Sequence, residues 1–283
     1  MVYEVTMGKT KKLLWLKLVI YIILIFVGIL TAGPFYWLVK TSLETSTNVF
    51  KYPPSFVPHP VTLENYVGVW KVLELGRYYL NSIIIAGFGT FANVFLALLA
   101  AYPMARLDYW GKRISLLLVL IPMMIPVQGT LIVNYLTLRK LHLLNSFAGV
   151  IIPQSVSLFG IFLMRQAYLG IPRDLEDAAR IDGAGEFYIW WKIMTPLVKP
   201  TVVTLALFQT LTWWDSFLWP LIVLSSPSKY PLSVALVYLN STFQTNFRYT
   251  TAGMVLAVIP VILLFLFTQK YIISGITEGA VKY

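Results

Sequence analysis

The sequence predicts an all-α, polytopic membrane protein with six transmembrane helices and both termini in the cytoplasm. Three observations predict it. First, 58% of the 283 residues are apolar and only 12% charged, with a mean hydropathy of +0.74, whereas a soluble domain carries roughly 25% charged residues. Second, apolar runs near 18–38, 79–102, 114–135, 147–166, 202–224 and 252–272 approach or exceed the ~20 residues that a helix needs to cross hydrocarbon. Third, with the N-terminus inside, 14 of the 22 Lys and Arg fall on the inner face and 8 on the outer, the bias expected of cytoplasmic loops. The net charge of +10 is therefore read as this bias, not as a surface for nucleic acid.

Taken in order, residues 1–12 form a short basic N-terminus with Lys9, Lys11 and Lys12. The apolar run that follows exceeds the usual 7–15-residue core of a signal peptide, so it is read as an uncleaved first span. Lys40 to Tyr78 is polar and Pro-rich (Pro53, Pro54, Pro58, Pro60) and is expected to be an external loop. The second span is rich in small residues, among them Ala86, Gly89, Ala97 and Ala100, which let a neighbouring helix approach closely. The third contains Pro122 and Pro126, the fourth Pro153 and the sixth Pro260, as kinks or as bends used in gating. Residues 13–274 thus form one transmembrane domain, and 275–283 a cytoplasmic tail. Ser225 to Thr250 is expected to be a polar external segment.

Between the fourth and fifth spans lies IPRDLEDAARIDGAGEFYIWWKIMTPLVKP, residues 171–200. Asp174 is placed to cap a helix by accepting the Asp177 N–H, and acids in a first turn suit the helix dipole. Gly183 supplies the left-handed residue that ends it. Interfacial helices usually carry Lys and Arg on the polar face; here Asp174, Glu176, Asp177, Asp182 and Glu186 outnumber Arg173 and Arg180. Two readings stand at this point: an interfacial helix without a partner, and a docking element whose acids meet a basic groove on a soluble protein.

The chain offers little chemistry of its own. It has no Cys, and both His59 and His142 fall in expected external loops. There is no HExxH, no GxxxxGK[ST] and no nucleophile–base pattern, so no cofactor or metal is expected on this chain. Asp215, in TWWDSFLWPL, is the one acid clearly inside a span. It either caps a broken helix ahead of Pro220, or lines a path with Trp213, Trp214 and Trp219 on which sugar rings stack, or binds a coupling proton. Asn93, Gln154 and Asn134 are polar residues in or near spans, suited to interhelical hydrogen bonds; Asn93 and Gln154 are also candidates for substrate contact.

Asp177, Ala178, Ala179, Gly183 and Pro196 resemble the cytoplasmic EAA loop of bacterial ATP-binding-cassette importer permeases, with Asp177 for the family's Glu and Thr195 before the proline. PFYWLVKTSL (34–43), TLENYVGVW (62–70), YLNSIIIA (79–86), AAYPMARL (100–107) and ITEGAVKY (276–283) extend the likeness to carbohydrate-type permeases of the maltose-importer kind. WDSFLWPL (214–221) is similar to that family's WNEFLWPL, with Asp215 and Ser216 replacing Asn and Glu. The resemblance implies half of a translocation pore in a bacterial or archaeal plasma membrane. The implied partners are a second homologous permease, two ATPase subunits holding ATP and Mg, and an extracytoplasmic substrate-binding protein, besides membrane lipid. It further implies that Glu176, Asp177, Ala178, Ala179, Arg180, Asp182, Gly183, Ala184 and Pro196 dock the ATPase, and that Thr277, Glu278, Gly279 and Lys282 reach it from the tail. An ion-coupled secondary transporter acting alone is the alternative.

Overall fold

Only three of the apolar runs fold as single long helices. The structure is a computed structural model describing residues 2–45, 52–72, 74–242 and 247–280, with side chains for 14–45, 52–71, 74–126, 128–238 and 247–269 of these. Among the described residues every regular element is helical. The continuous apolar helices cover Leu14–Ser42, Leu75–Arg106 and Phe247–Gln269, and three further candidates are pairs of helices joined at a bend. The chain divides into two compact units, the first formed by residues 1–73 and 243–256 and the second by 74–242 and 257–283.

In the first unit α1 (Val2–Ser42) exposes apolar side chains on all its faces from Leu14 to Leu30, the pattern of a helix whose surroundings are themselves apolar. Its end is tied down. Lys40 and Glu44 form an ion pair at 2.7 Å with both side chains buried, and Asn65 of α2 (Glu64–Val72) donates from Nδ2 to the Ser42 and Glu44 carbonyls, each at 2.8 Å. The Pro-rich loop expected between the first two spans thus ends in a helix that sequence periodicity did not announce. Gly68 lies under the Tyr249 ring, where a Cβ would overlap the phenol.

The second unit is organised on α3 (Leu75–Arg106). Ala97, Ala101 and Ala105 recur every four residues and are essentially inaccessible. This small-residue stripe brings α7 (Leu158–Leu169) and α11 (Lys199–Trp214) close, as expected for helices packed in a membrane. Ile161, Met164, Tyr168, Ile189, Trp190, Met194 and Leu205 complete the core around that stripe. Gly89 is needed for the same reason: the Trp213 indole occupies the position of its missing Cβ.

The breaks have local causes. α4 (Lys112–Leu120) and α5 (Leu131–Lys140) are separated by two 3₁₀ turns at Ile121–Met124 and Val127–Thr130, around Pro122 and Pro126. α6 (Phe147–Ile151) passes through a 3₁₀ turn at Pro153 to α7 with a 46° bend, and Ser157 caps α7 by accepting the Gly160 N–H at 3.0 Å. After α8 (Asp174–Ile181), short α9 (Glu186–Tyr188), a π stretch (Ile189–Met194) and α10 (Thr195–Leu197) meet α11 at 80°. Pro196 and Pro200 remove backbone donors at this elbow.

The expected single span 202–224 is two helices: α11 ends at Trp214 and α12 (Leu218–Val223) follows, with Asp215 as the C-cap of α11. The segment expected to be polar and external holds α13 (Leu232–Thr242). Its entry is pinned by Asn81, whose Nδ2 donates to the Ser228 and Tyr230 carbonyls, and by Asn145, whose Oδ1 accepts from the Ser225 and Ser226 amides. The last helix, α14 (Phe247–Ala280), belongs to the first unit as far as Leu256 and to the second beyond it.

Candidate functional site

Two places in the second unit combine polar side chains with a defined geometry: the α8 loop and a cavity among α3, α7 and α11. At the C-terminus of α8 the expected device is present. Gly183 has φ +83°, its amide donates to Arg180 O at 3.0 Å, and the Ala184 amide donates to Ala179 O at 2.9 Å, the paired bonds of a Schellman motif. The N-terminus corrects the expectation. The cap residue is Arg173, the Asp177 amide donates to the Arg173 carbonyl at 3.1 Å, and no side chain caps the helix. Asp174 lies one residue inside, where its carboxylate retains only the dipole interaction.

The acids of α8 do not form one exposed face. Glu176 is buried, and its Oε1 accepts from Arg106 Nε of α3 at 2.8 Å; the two side chains are 2% and 3% exposed. Arg106 Nη2 donates also to the carbonyls of Ile171 (2.9 Å) and Pro172 (3.2 Å). Asp177 and Glu186 both accept from Arg180, at 3.1 and 2.8 Å, and Tyr102 of α3 donates its hydroxyl to Glu186 at 3.1 Å. The hydrogen bond from Arg180 to Glu186 raises the Arg180 pKa, so this guanidinium stays charged.

With Glu176 withdrawn, the exposed surface of α8 mixes acids with apolar side chains, Asp174, Asp177 and Asp182 lying beside Leu175, Ala178 and Ile181. Leu175, Ala178 and Ile181 recur every three residues on it, Ile181 is 87% exposed, and Asp182 and Gly183 sit at its tip. Phe187 and Tyr188 are exposed just beyond, while Ala179 is buried, Ala184 half-buried and Pro196 exposed. Of the five acids expected to face a partner, only Glu176 cannot present its carboxylate; Asp174, Asp177, Asp182 and Glu186 remain exposed.

The cavity, of about 800 Å³, is lined by Asn93, Asn134, Gln154, Ser157, Gln209, Thr212 and Trp213 among apolar side chains. Asn93 organises one wall: its Oδ1 accepts from Trp213 Nε1 at 2.7 Å and its Nδ2 donates to the Gln154 carbonyl at 2.8 Å. Gln209 donates from Nε2 to Ser157 Oγ at 2.8 Å. Asn93 and Gln154 are thus brought together in one place, whereas Trp214, Asp215 and Trp219 lie outside the lining. Trp214 donates to Ala257 O at 3.2 Å, Trp219 is buried and donates to Val150 O at 3.1 Å, and Asp215 is exposed. Sequence reasoning missed Gln209 and Ser157, and of the three tryptophans expected on a path it is Trp213 that lines the cavity. Gln209 carried a usable signal, as the one amide inside the apolar run from Val202 to Leu211.

Of the tail residues, Thr277, Glu278 and Gly279 continue α14 as backbone, their side chains lying outside the described residues, as Lys282 does altogether.

Comparison with known proteins places this geometry. Residues 93–278 match the family model of the binding-protein-dependent transport system inner membrane component. The arabinooligosaccharides transport system permease protein AraQ of Bacillus subtilis is 35% identical over 269 residues, 94% of this chain and 96% of that protein. The sulfoquinovosyl glycerol transport system permease protein SmoH of Agrobacterium fabrum is 32% identical over 251 residues, 88% of each. The crystal structure of a bacterial ABC transporter involved in the import of the acidic polysaccharide alginate contains a chain that superposes with a TM-score of 0.82. It is 25% identical, and the match covers 90% of this chain and 95% of that one.

Proposed function

We infer the function from one premise: this chain belongs to the family of binding-protein-dependent transport system inner membrane components. It is an ABC transporter permease with membrane-spanning helices. We propose that it forms half of the pore of an ATP-driven importer for a carbohydrate or glycoside, the ligand class named in its relatives. The other half is a second permease, a binding protein delivers the ligand from outside, and ATP with Mg is held on two cytoplasmic ATPase subunits. In this reading both termini and α8 face the cytoplasm, in keeping with the Lys and Arg bias, and the tail around Thr277–Lys282 adds a second contact to the motor.

The observation that carries the proposal is the row of exposed apolar side chains on α8, flanked by exposed acids, on a loop held to α3 through Glu176 and Glu186. Such a helix is shaped to insert into a cleft, with Leu175, Ala178 and Ile181 as its anchors. The cavity supplies the complementary feature, amides and hydroxyls beside aromatic rings, suited to sugar hydroxyls and ring faces.

The test is co-purification of the ATPase with Ile181→Glu. Ile181 is 87% exposed, so the change costs the permease less than about 0.5 kcal/mol, while a lost anchor lowers association by about thirtyfold or more. Unchanged ATPase yield refutes the docking role. Uptake in proteoliposomes decides the wider reading: importer function requires ATP and the binding protein, whereas ion-driven uptake by this chain alone establishes a secondary carrier.

A further inference from the structure

The Arg106–Glu176 pair has an unusual position. It joins the last residue of α3 to the first turn of α8, 70 residues later in the chain, with both side chains almost fully buried. A buried ion pair is a weak source of stability, because desolvation offsets most of the attraction. It is a strong source of geometry, because an Arg fork that holds several acceptors at once permits one arrangement. Arg106 holds three: the Glu176 carboxylate and the carbonyls of Ile171 and Pro172. One turn earlier on the same face of α3, Tyr102 bonds Glu186 on the far side of α8. The loop is therefore fastened to α3 at two points.

The covalent connections of α8 are less constraining. Gly170 precedes it and Gly183 and Gly185 follow it, and backbone at such sites pivots readily. α3 continues from Arg106 to Asn93, about 20 Å along the helix at 1.5 Å per residue. There Asn93 holds both Trp213 and the Gln154 carbonyl at the cavity.

We propose that Arg106 and Glu176 are positioning residues that tie α8 to α3, so that movement of α8 is delivered along α3 to the Asn93–Trp213 wall of the cavity. This rests on the reading of α8 as the ATPase-docking helix and adds the route by which its movement reaches the pore. In it the cavity wall responds to the motor through a side-chain tie, and the short segments that flank α8 in the chain act as hinges.

The chain has no Cys, so Thr212→Cys beside Trp213 gives a single reporter on the cavity wall. The complex of this permease with its partner permease and ATPases, in lipid vesicles, is treated with a maleimide with and without ATP plus vanadate. With the tie intact, nucleotide changes the labelling rate of the reporter by roughly tenfold, within the range that coupled sites show. With Glu176→Gln, the ATPase still co-purifies and hydrolyses ATP, but the ratio collapses to within about twofold of unity. Glu176→Asp, which keeps the charge, restores part of it. A full ratio in Glu176→Gln overturns the tie, and so does loss of the ATPase from that complex, which assigns the pair to assembly. Should Glu176→Gln fail to accumulate, Arg106→Lys decides: Lys keeps the charge but cannot hold all three acceptors, so an undiminished ratio there refutes the proposal. A reporter that ignores nucleotide in the unaltered complex overturns the importer reading itself, and the tie with it.

Discussion

Gly183 shows how far a single residue can be read in advance and what the reading leaves out. Its left-handed conformation was legible from its place after DLEDAARID, and φ is +83°. Among the described residues, its two chain neighbours aside, nothing lies within 4 Å of a Cβ built there, so its requirement is conformational and not steric. Gly183→Ala is expected to lower the stability of the permease by about 1 kcal/mol, and Gly183→Asn by less, because Asn tolerates the left-handed region. Thermal unfolding of the detergent-solubilised protein checks this, and equal losses for the two variants would contradict it. The neighbouring acids were not legible in the same way. Asp174 looked like a cap, but the Arg173 carbonyl takes the Asp177 amide. Glu176 looked like surface, yet its place depends on Arg106, 70 residues earlier, and no local pattern encodes a contact of that range.

At the scale of elements, α11 and α12 decide among the readings of TWWDSFLWPL. The helix stops at Trp214 with Asp215 as its C-cap ahead of Pro220, which is the broken-helix reading, and Trp214 and Trp219 donate to different partners. Asp215 caps α11 on the exposed side, and Gln209, almost two turns earlier, faces the cavity. If the cavity carries the ligand, Gln209→Ala should lower uptake by about two- to tenfold, the value of one neutral hydrogen bond. Asp215→Ala should leave uptake within about twofold. The reverse order, measured as initial uptake rates at equal expression, would move the path away from this cavity and toward the end of α11. Proline positions announced the breaks at Pro122, Pro126, Pro153 and Pro196 correctly in kind, whereas Pro260, read in the same way, does not interrupt α14. What they could not announce is how sharp each bend is, since a proline removes a bond without fixing which neighbour takes up the freed carbonyl. The π stretch at Ile189–Met194, where Thr195 Oγ1 donates to the Trp190 carbonyl, has no marker in the sequence at all.

For the molecule as a whole, composition alone predicted a helical membrane protein, because the large apolar fraction admits few other solutions where backbone groups must bond internally. Topology is a harder inference, since three spans are continuous helices and three are candidate bent pairs. In the orientation proposed from the charge bias, α8 lies inside and the segment after α12, pinned by Asn81 and Asn145, outside. The absence of Cys makes this directly measurable. Ile181→Cys on α8 and Ser225→Cys, an exposed residue after α12, should be labelled by an impermeant maleimide from opposite sides of intact cells and inverted vesicles. Ser225→Cys is expected to react in cells and Ile181→Cys in inverted vesicles. Labelling of both from one side would mean that α11 and α12 do not together cross the bilayer. The 80° elbow before Lys199 would then mark a re-entrant segment, and α8 could not stand on the same side as a cytoplasmic motor while its neighbours kept their places. The side on which Ile181 reacts therefore decides whether force can enter the chain through α8 at all.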